Sequence, residues 1–549
     1  MARANKATVG KYLAKRLEQA GLKHIFGVPG DYVLDFFDCL EESNLEIVGT
    51  CNELNAGYAA DAYARVNGVG GVCITYGVGG FSLFNAVVGA FAERVPLIVI
   101  SGGPKLSEHP HRYLLHHTIG GMQLQYEIYE KITVASVILR SAEQATQQID
   151  EAITACLRFK RPVYIEIPVD IVSRPCRDPG PFEVDTSIPS DKDVLEEAVD
   201  EAVGLLKSAK NPVILAGIEA HRLNTVNELR ELIDHTGYPF TTTMLGKSVL
   251  PEKHPQFAGV YNGVIGRESV RLIVEEADVV LGLGVLMTDI NFGAWTSQLD
   301  ASKMIVANWD NVQIKHHMYS QLSLKDFTNG LREKLPGCKP SPARIEHPAQ
   351  LLKEDLTPVP GQIITVNRFY RRINQFIEEN YIIIPDAGDS ILNASDLFVP
   401  ENVGFIGQAF YLSIGYSIPA ALGVKLAAPD KRPIVLAGDG AFQMTAQELS
   451  TIIWHNQNPV IFLMNNDGYT IERMIHGDGS YNELNMWHYY RLPEVFRGEW
   501  GRQVKTEDEL ENALQKAKNS PDSLAFIEVW LDRNDCCKNL QKMGGLSEK

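Results

Sequence analysis

Two polar clusters near the carboxyl end of the chain have the residue types of a metal site. The first reads Gly438-Asp439-Gly440, and the second is the segment 465–472, Asn-Asn-Asp-Gly-Tyr-Thr-Ile-Glu. Asp439 supplies an anionic oxygen and Asn466 a neutral one, and a backbone carbonyl is the candidate for a third. Hard oxygen ligands of this kind suit Mg²⁺, which would take its remaining ligands from a diphosphate. The clusters therefore predict a magnesium–diphosphate site.

Each cluster follows a predicted strand. Residues 433–437 and 460–464 are short apolar runs, typical of buried parallel strands. Between them, Thr445 and Glu448 have the spacing of a capping box, which predicts a helix start. In such strand–helix–strand units, ligands bind beyond the carboxyl ends of the strands. Both clusters fall at those ends.

The spacing of the clusters carries a family resemblance. Gly-Asp-Gly, 24 intervening residues (441–464) and Asn-Asn resemble the signature of thiamine diphosphate enzymes. The tail Asn-Asp-Gly-Tyr-Thr-Ile-Glu resembles the 2-keto acid decarboxylases, the pyruvate, indolepyruvate and branched-chain keto acid group. The likeness covers essentially the whole chain, from Phe26-Gly-Val-Pro-Gly-Asp31 onwards. A bare Gly-Asp-Gly is a common turn, so the argument depends on the spacing and the flanking strands.

The resemblance assigns the activating carboxyl group to Glu53. Thiamine reacts only after its thiazolium ring loses a proton, and a carboxyl hydrogen-bonded to the aminopyrimidine promotes that loss. The alternative is a carboxylate that merely favours a helix N-terminus. Ile414 matches the aliphatic residue that keeps the two cofactor rings facing each other, with the carbonyl of Leu412 accepting from the pyrimidine amino group. Without the family, Ile414 would be assigned to the core.

The full set of residues that the resemblance implies for cofactor binding is Thr75, Asp389, Leu412, Ile414, Gly438, Asp439, Gly440, Ala441, Asn466, Gly468 and Tyr469. Of these, Asp439, Asn466 and Gly468 are the expected metal ligands. The implied cofactors are thiamine diphosphate and Mg²⁺.

Four further polar residues match the family's proton-handling groups: Asp31, His116, His117 and Glu472. A cluster of carboxyl groups and imidazoles has pKa values pushed apart, which permits proton donors and acceptors to coexist near neutrality. The alternatives are a turn-capping role for Asp31 and a metal site at the histidine pair. No carboxylate at ligand spacing supports such a metal site.

Residues 391 and 392 bear on substrate size. Enzymes restricted to pyruvate resemble Gly-Asp-Ser followed by Trp-Phe, whereas this chain has Ile391-Leu392 after Gly388-Asp389-Ser390. Together with Ile471 and Ile475, these residues would form a wider apolar pocket that favours branched, aromatic or medium-chain 2-keto acids. The alternatives are a pyruvate decarboxylase, or that Ile391 and Leu392 merely pack the core.

The length of 549 residues exceeds one hydrophobic core, and alternating helix and strand patterns predict an α/β fold with mainly parallel sheets. We expect an N-terminal pyrimidine-binding domain (1–185), a central α/β domain (192–336) with a regulatory or structural role, and a C-terminal diphosphate-binding domain (362–549). Proline-rich residues 336–360 form the linker between the central and C-terminal domains. Gly282-Leu-Gly284 lacks the third glycine of a dinucleotide fingerprint and indicates strand-end packing.

Composition restricts the partners. The net charge of −17 disfavours nucleic acid and anionic membranes. No run reaches transmembrane length, and the first six residues lack the apolar core of a secretory signal. Eight cysteines without a Cys-x-x-Cys pair indicate a reduced, cytoplasmic protein. The resemblance also implies active sites at a subunit interface, hence a homodimer at least and a homotetramer as the expected state.

Two other classes remain open at this stage. One is a thiamine-dependent carboligase or flavin-linked oxidase of the same superfamily, which the matches at Asp31, His116-His117 and Glu472 disfavour. The other is a non-catalytic module on the same scaffold, which would have little need for Glu53, Asp439 and Glu472 together. The chain departs from the family pattern at Ile391-Leu392 and at Gly79-Gly80-Phe81, which leaves the substrate open.

Overall fold

The computed structural model describes residues 7–111, 114–337, 345–353 and 356–547. The N-terminal residues 1–6 and part of the predicted linker 336–360 lie outside the described residues. The described chain forms three sheets in which most neighbouring strands are parallel, so the predicted α/β class is confirmed. The chain folds as two compact units, whose first comprises the described residues up to Ser187 with Ile418–Lys431 and Thr445–Gln457. The second holds the rest.

The sheet of the first unit has the strand order β2-β1-β3-β4-β6-β5, and its neighbours pair in parallel. Its strands are β1 (His24–Gly27), β2 (Glu46–Gly49), β3 (Gly70–Ile74), β4 (Leu97–Gly103), β5 (Ala135–Ile138) and β6 (Val163–Pro168). β3, β4 and β6 are buried along their whole length. This burial on both faces explains their continuous apolar sequences.

The helices around this sheet are Val9–Gln19, Leu34–Glu41, Glu53–Asn67, Val78–Ala92, Leu124–Tyr129, Ala142–Phe159 and Val169–Val172. Side-chain caps begin several of them: Thr8 accepts from the Lys11 amide, and Asn52 from the Asn55 amide at 2.8 Å. The helix that the sequence predicts over 84–91 starts at Val78 instead. Its first turn was not predicted, because it contains Gly79 and Gly80 and glycine is a poor helix former.

The first sheet of the second unit has the order β13-β12-β11-β10-β7-β8-β9. Its strands are β7 (Pro212–Ala216), β8 (Phe240–Thr243), β9 (Phe257–Tyr261), β10 (Val279–Leu283), β11 (Met304–Ala307), β12 (Asn311–Ile314) and β13 (His317–Ser320). Its helices are Lys192–Ser208, Glu219–Arg222, Val226–Thr236, Glu268–Glu275 and Leu324–Lys334. Gly284 packs against the Ala220 backbone, where a Cβ atom would lie 2.6 Å from the nitrogen. This contact supports the strand-end packing interpretation.

The second sheet of this unit has the order β15-β14-β16-β17-β19-β18 and is parallel. Its strands are β14 (Tyr381–Pro385), β15 (Gly404–Phe405), β16 (Arg432–Gly438), β17 (Val460–Asn465), β18 (Gly501–Val504) and β19 (Ala525–Trp530). The associated helices are Val366–Phe376, Asp389–Ala394, Asp439–Thr445, Thr470–His476, Leu492–Val495, Glu507–Asn519 and Lys538–Ser547. β16 and β17 are the two buried strands that the sequence predicts at 433–437 and 460–464.

The capping box predicted at Thr445 and Glu448 is wrong. The Thr445 side chain makes no capping hydrogen bond, and a 3-10 turn at Ala446–Glu448 precedes the helix Leu449–Trp454. Within the first unit, Glu448 accepts instead from the Cys51 amide at 3.2 Å and from Nδ2 of Asn55 at 2.7 Å. The glutamate therefore supports the start of the helix Glu53–Asn67.

Among the described residues, no helix combines the length and the apolar character that crossing a bilayer requires.

Candidate functional site

A cavity of about 410 Å³ opens in the second unit where the strands β14, β16 and β17 end. The predicted cofactor residues in its wall are Asp389, Leu412, Ile414, Gly438, Asp439, Gly440, Ala441, Asn466, Gly468 and Tyr469. The rest of the wall includes the apolar side chains of Met464 and Leu531. The cavity lies at the position where parallel α/β sheets bind ligands.

Asp439 is the buried carboxylate of this cavity. It follows β16, and its two oxygens accept from the amides of Gly440 at 2.8 Å and Gly468 at 3.0 Å. Burial raises its pKa to about 6, although the backbone hydrogen bonds partly oppose that rise. A carboxylate whose pKa stays raised by burial despite these hydrogen bonds would be stabilised in its charged form by a bound cation.

The loop that carries the other predicted metal ligands is held from behind. Asp467 and Gly468 have φ values of +57° and +119°. Arg473 donates to the backbone carbonyls of Asn466, at 3.3 Å, and of Asp467. Sequence reasoning missed Arg473, because an arginine in a short helix gives no sign that it binds carbonyl groups of the preceding loop.

A second loop, 412–417, carries the predicted ring-wedging residue Ile414. Leu412 has a φ of +55°, which is uncommon for a residue with a side chain and typical of functional sites. Buried Asp386 accepts from the amides of Gly415 at 3.0 Å and Ser417 at 2.9 Å, and from the Ser417 hydroxyl at 2.5 Å. Burial also raises the pKa of Asp386. Its place directly after the apolar run 381–385 was the available signal, and the sequence analysis did not use it.

The residues of this cavity fit a metal-bound diphosphate. Asp439, Asn466 and the Gly468 carbonyl offer hard oxygen donors of the kind that Mg²⁺ prefers. A Cβ atom built on Gly438 would meet no heavy atom within 4 Å, so a ligand can approach the backbone there.

The predicted substrate residues are divided. Ile471 and Glu472 lie in the cavity wall, whereas Ile475, one helical turn later, does not. Ile391 and Leu392 were expected to line the pocket, but in the described structure they lie outside its wall. They are buried instead in an apolar cluster with Cys536 and Cys537, as the core-packing alternative supposed.

In the first unit, Asp31, His116 and His117 lie together. His116 Nε2 hydrogen-bonds to the Asp31 carboxylate, and His117 Nδ1 lies 4.0 Å from Asp31 Oδ1. The fold thus supplies the carboxylate that sequence spacing did not reveal. The Tyr32 ring stacks on His116 with centroids 4.8 Å apart, and the sequence analysis missed this contact.

Glu53 and Thr75 lie in the same unit. Glu53 is the first residue of the helix Glu53–Asn67, directly after the cap Asn52. Thr75 follows β3 and is buried, and its hydroxyl has no hydrogen-bond partner within the described residues. Because buried hydroxyl groups are normally hydrogen-bonded, Thr75 has capacity for a ligand.

Comparison with known proteins identifies the class. Residues 7–126 match the N-terminal TPP binding domain of thiamine pyrophosphate enzymes, residues 199–329 match their central domain, and residues 386–529 match their C-terminal TPP binding domain. These matches define a thiamine diphosphate enzyme.

Relatives narrow the class. The chain is 36% identical to pyruvate decarboxylase 2 of Oryza sativa subsp. japonica over 556 residues, covering 98% of this chain and 91% of the relative. Pyruvate decarboxylase 4 of Arabidopsis thaliana is also 36% identical, with the same coverage of 98% and 91%. Pyruvate decarboxylase 1 of Pisum sativum is 36% identical, with 98% and 92% covered. The chain therefore belongs to the thiamine diphosphate-dependent 2-keto acid decarboxylases. It is a carboxy-lyase.

Proposed function

We propose that Asp439, Asn466 and the backbone carbonyl of Gly468 hold Mg²⁺, and through it the diphosphate of the cofactor. The observation that carries this proposal is the cavity, whose wall brings these donors together with most of the predicted cofactor residues. When bound, thiamine diphosphate supplies the electron sink for loss of carbon dioxide. The remaining work belongs to the protein.

Ile414 and Leu412 orient the cofactor rings in this proposal. Ile414 lies in the cavity wall as a partly buried aliphatic side chain. Leu412 has left-handed backbone geometry, which turns the direction of the chain at this point. Its carbonyl would accept from the amino group of the bound pyrimidine. Asp386 stabilises this loop through Gly415 and Ser417.

Glu53 would donate a hydrogen bond to the ring nitrogen of the bound aminopyrimidine. Its position at a helix start is stabilised by Asn52, which accepts from the Asn55 amide. It is also stabilised by Glu448, which accepts from the Cys51 amide before Glu53 and from the Asn55 side chain after it. Thr75 offers its unpartnered hydroxyl to the same ligand.

Asp31, His116, His117 and Glu472 handle protons in this proposal. Conversion of a 2-keto acid anion into an aldehyde and carbon dioxide consumes one proton per turnover. Asp31 and His116 are hydrogen-bonded to each other, so a proton can move between the carboxylate and Nε2. Glu472 lies in the wall of the cavity in the second unit.

We infer that the working protein is a homo-oligomer with active sites at subunit interfaces, a homodimer at least and a homotetramer as the expected state. In the first unit, the histidine pair is flanked by Leu114 and Ile119, which expose 84% and 78% of their surface. Exposed aliphatic side chains beside polar site residues are typical of surfaces that another chain covers. We also infer a cytoplasmic location, supported by the free thiols of the seven described cysteines.

The substrate proposal is a preference for branched, aromatic or medium-chain 2-keto acids over pyruvate. A Cβ atom built on Gly388 would have Cγ2 of Ile471, 4.0 Å away, as its nearest neighbour. This part of the cavity wall therefore leaves space for a substrate side chain. Ile391 and Leu392 pack behind it with less bulk than aromatic rings. Each substrate methylene buried there would add about 0.8 kcal/mol to binding.

The second candidate is a pyruvate decarboxylase, which the names of the relatives favour. Measuring kcat/KM for pyruvate, 2-ketoisovalerate, phenylpyruvate and 2-ketooctanoate separates the two. We expect the larger acids to be preferred, and a strong preference for pyruvate would refute the size argument.

The function itself is tested by adding thiamine diphosphate and Mg²⁺ to apo protein and assaying the release of carbon dioxide and aldehyde. Failure to release carbon dioxide from any 2-keto acid would contradict the proposal. Formation of acyloin in place of free aldehyde would indicate a carboligase, and a yellow purified protein would indicate a bound flavin.

A further inference from the structure

Residues 75–80 comprise the turn Thr75–Gly77 and the first three residues of the helix Val78–Ala92, and this segment is called the turn 75–80 below. It lies against the loop that carries Asp31. A Cβ atom built on Gly30 would lie 2.5 Å from the Cβ of Thr75, so the backbone at Gly30 and the Thr75 side chain are in close contact. A shift of the turn would therefore displace the neighbouring Asp31.

The same turn also contacts Glu53 and His117. A Cβ on Gly79 would lie 3.4 Å from Glu53 Oε1, which places the glutamate carboxyl directly beside the turn. A Cβ on Gly77 would lie 2.1 Å from the backbone oxygen of His117. The turn is thus the common neighbour of three groups that the proposed function requires.

Gln125 holds this turn. Its Oε1 accepts from the Gly77 amide at 2.7 Å, and the side chain is completely buried. Its Nε2 donates to the hydroxyl groups of Ser101 at 2.9 Å and Tyr164 at 2.8 Å. Because the Gly77 N–H can only donate, whereas both hydroxyl groups can accept, the side chain is oriented with Oε1 toward Gly77 and Nε2 toward the hydroxyl groups.

A second layer of side chains stabilises Gln125. The Tyr164 hydroxyl donates to Glu166 Oε2 at 2.7 Å. Tyr129 stacks on Tyr164 with centroids 4.5 Å apart, and its hydroxyl donates to the Gly80 carbonyl at 2.7 Å. The network therefore binds the turn at two points, the Gly77 amide and the Gly80 carbonyl.

The network also accounts for a glycine at position 80. A Cβ at this position would lie 2.2 Å from Oε1 and 2.3 Å from Cδ of Gln125, so the end of the glutamine side chain would have to move away from the Gly77 amide. A side chain at residue 80 and a glutamine at residue 125 are therefore mutually exclusive in this conformation, and the two residues form a matched pair.

We propose that Gln125 is a positioning residue of the decarboxylase: it fixes the turn 75–80 and, through that turn, the placement of Asp31, Glu53 and His117. This inference rests on the roles proposed above for those three residues. Gln125 itself touches none of the reacting groups. Tyr164 and Glu166 orient Gln125 and act one step further away.

The test compares Gln125→Met, which keeps the length of the side chain but removes the acceptor, with Gln123→Met, a matched change at an exposed residue two positions earlier. Tyr164→Phe is a milder variant, since Gln125 keeps its bonds to Gly77 and Ser101. Three quantities are measured: amide hydrogen exchange of residues 75–82 in the apo protein, kcat and KM of the holoenzyme, and the rate at which the C2 hydrogen of bound thiamine diphosphate exchanges with D2O.

For Gln125→Met, we expect amide exchange at Gly77 to accelerate by about tenfold or more, as the loss of a buried hydrogen bond implies. We also expect kcat and the C2 exchange rate to fall about 10- to 100-fold with little change in KM, because misplacement of catalytic groups by about 1 Å has effects of this size. Tyr164→Phe should change all three quantities in the same direction by less, and Gln123→Met should match the wild type.

Wild-type kcat and C2 exchange in Gln125→Met, despite faster amide exchange, would overturn the inference. If Gln125→Met does not fold, Tyr164→Phe decides in the same way. Failure of the proposed function is distinguishable, because it would appear as unchanged turnover in Glu53→Gln whatever Gln125 does.

Discussion

At the scale of single residues, Glu53 carries the sharpest expectation. Replacing its carboxyl with an amide by Glu53→Gln keeps the shape of the side chain but removes the acid that we propose to hydrogen-bond the aminopyrimidine. We expect kcat to fall by about 10² to 10⁴, the usual contribution of a positioned acid or base, while the cofactor remains bound. Carbon dioxide release and retained thiamine diphosphate are measured on the same sample.

The matched control for this change is Glu46→Gln, a glutamate at the exposed start of β2. It should have wild-type turnover. Turnover of Glu53→Gln within a fewfold of the wild type would contradict the role assigned to Glu53.

Asp439 is the residue on which the proposed metal binding depends. We expect Asp439→Asn to weaken retention of Mg²⁺ and thiamine diphosphate by at least about 100-fold, since even the neighbours of metal ligands contribute 10- to 100-fold to affinity. Retained cofactor is measured by ultrafiltration across a Mg²⁺ titration. Asp467→Asn is the control, because asparagine tolerates the φ of +57° found there. Equal retention in both variants would rule out Asp439 as the anchor.

Residue spacing predicted part of this site and missed the rest for a physical reason. Asp439 and Asn466 stand at the ends of adjacent strands, so a pattern over 24 residues could indicate them. Asp386, Gln125 and Glu448 act through partners that are distant in sequence, such as Ser417 and Asn55. A repeating pattern within a short stretch of sequence cannot indicate such pairs.

At the scale of elements, β6 contains a buried acid whose ionisation opposes folding. Burial raises the pKa of Glu166 to about 7 from its usual 4.5, although Tyr164 and Arg140 lower it in part. The folded state therefore holds a proton that the unfolded state releases. The stability that this proton provides is fully present below pH 4.5 and is lost as the pH rises through 7.

We expect the free energy of unfolding of the wild type, relative to Glu166→Gln, to fall by roughly 3 kcal/mol between pH 4.5 and pH 8. Urea denaturation at several pH values measures this difference. Glu143→Gln, at an exposed position of the helix Ala142–Phe159, should run parallel to the wild type. A difference between the wild type and Glu166→Gln that does not change with pH would contradict the prediction.

The strands were easier to predict than the helix starts. β7, β10 and β11 have the bounds that their apolar runs indicate. The start of the helix Val78–Ala92 was predicted six residues too late, because its first turn is stabilised by Gln125 and Tyr129 rather than by its own residues.

At the scale of the whole molecule, we expect catalysis to require association. Dilution of the holoenzyme until light scattering gives the mass of one 60.9 kDa chain should abolish turnover. The proposed physical reason is that a second chain covering the exposed Leu114 and Ile119 would exclude water from the histidine pair beside them. Specific activity that stays constant down to the single-chain mass would contradict the interface proposal.

Sequence alone predicted three α/β domains, and the three sheets agree with it. The division of the chain into two units was beyond it, since Ile418–Lys431 and Thr445–Gln457 belong with the N-terminal unit. Gly423 shows why: a Cβ there would lie 1.9 Å from the Ala59 carbonyl oxygen, a backbone contact that no hydrophobic pattern encodes.

Because the first unit contains segments from two distant parts of the sequence, the chain cannot be cut at a single point into two pieces that each fold. A fragment that stops at Ser187 would lack the helix Ser417–Ala427, whose Gly423 packs on Ala59, and Glu448, which accepts from the Cys51 amide. The apolar surface beneath them would then be exposed to water. Separate expression of the N-terminal piece should therefore give aggregates, and soluble material should return only when residues 418–431 and 445–457 are supplied within a co-expressed chain of residues 188–549.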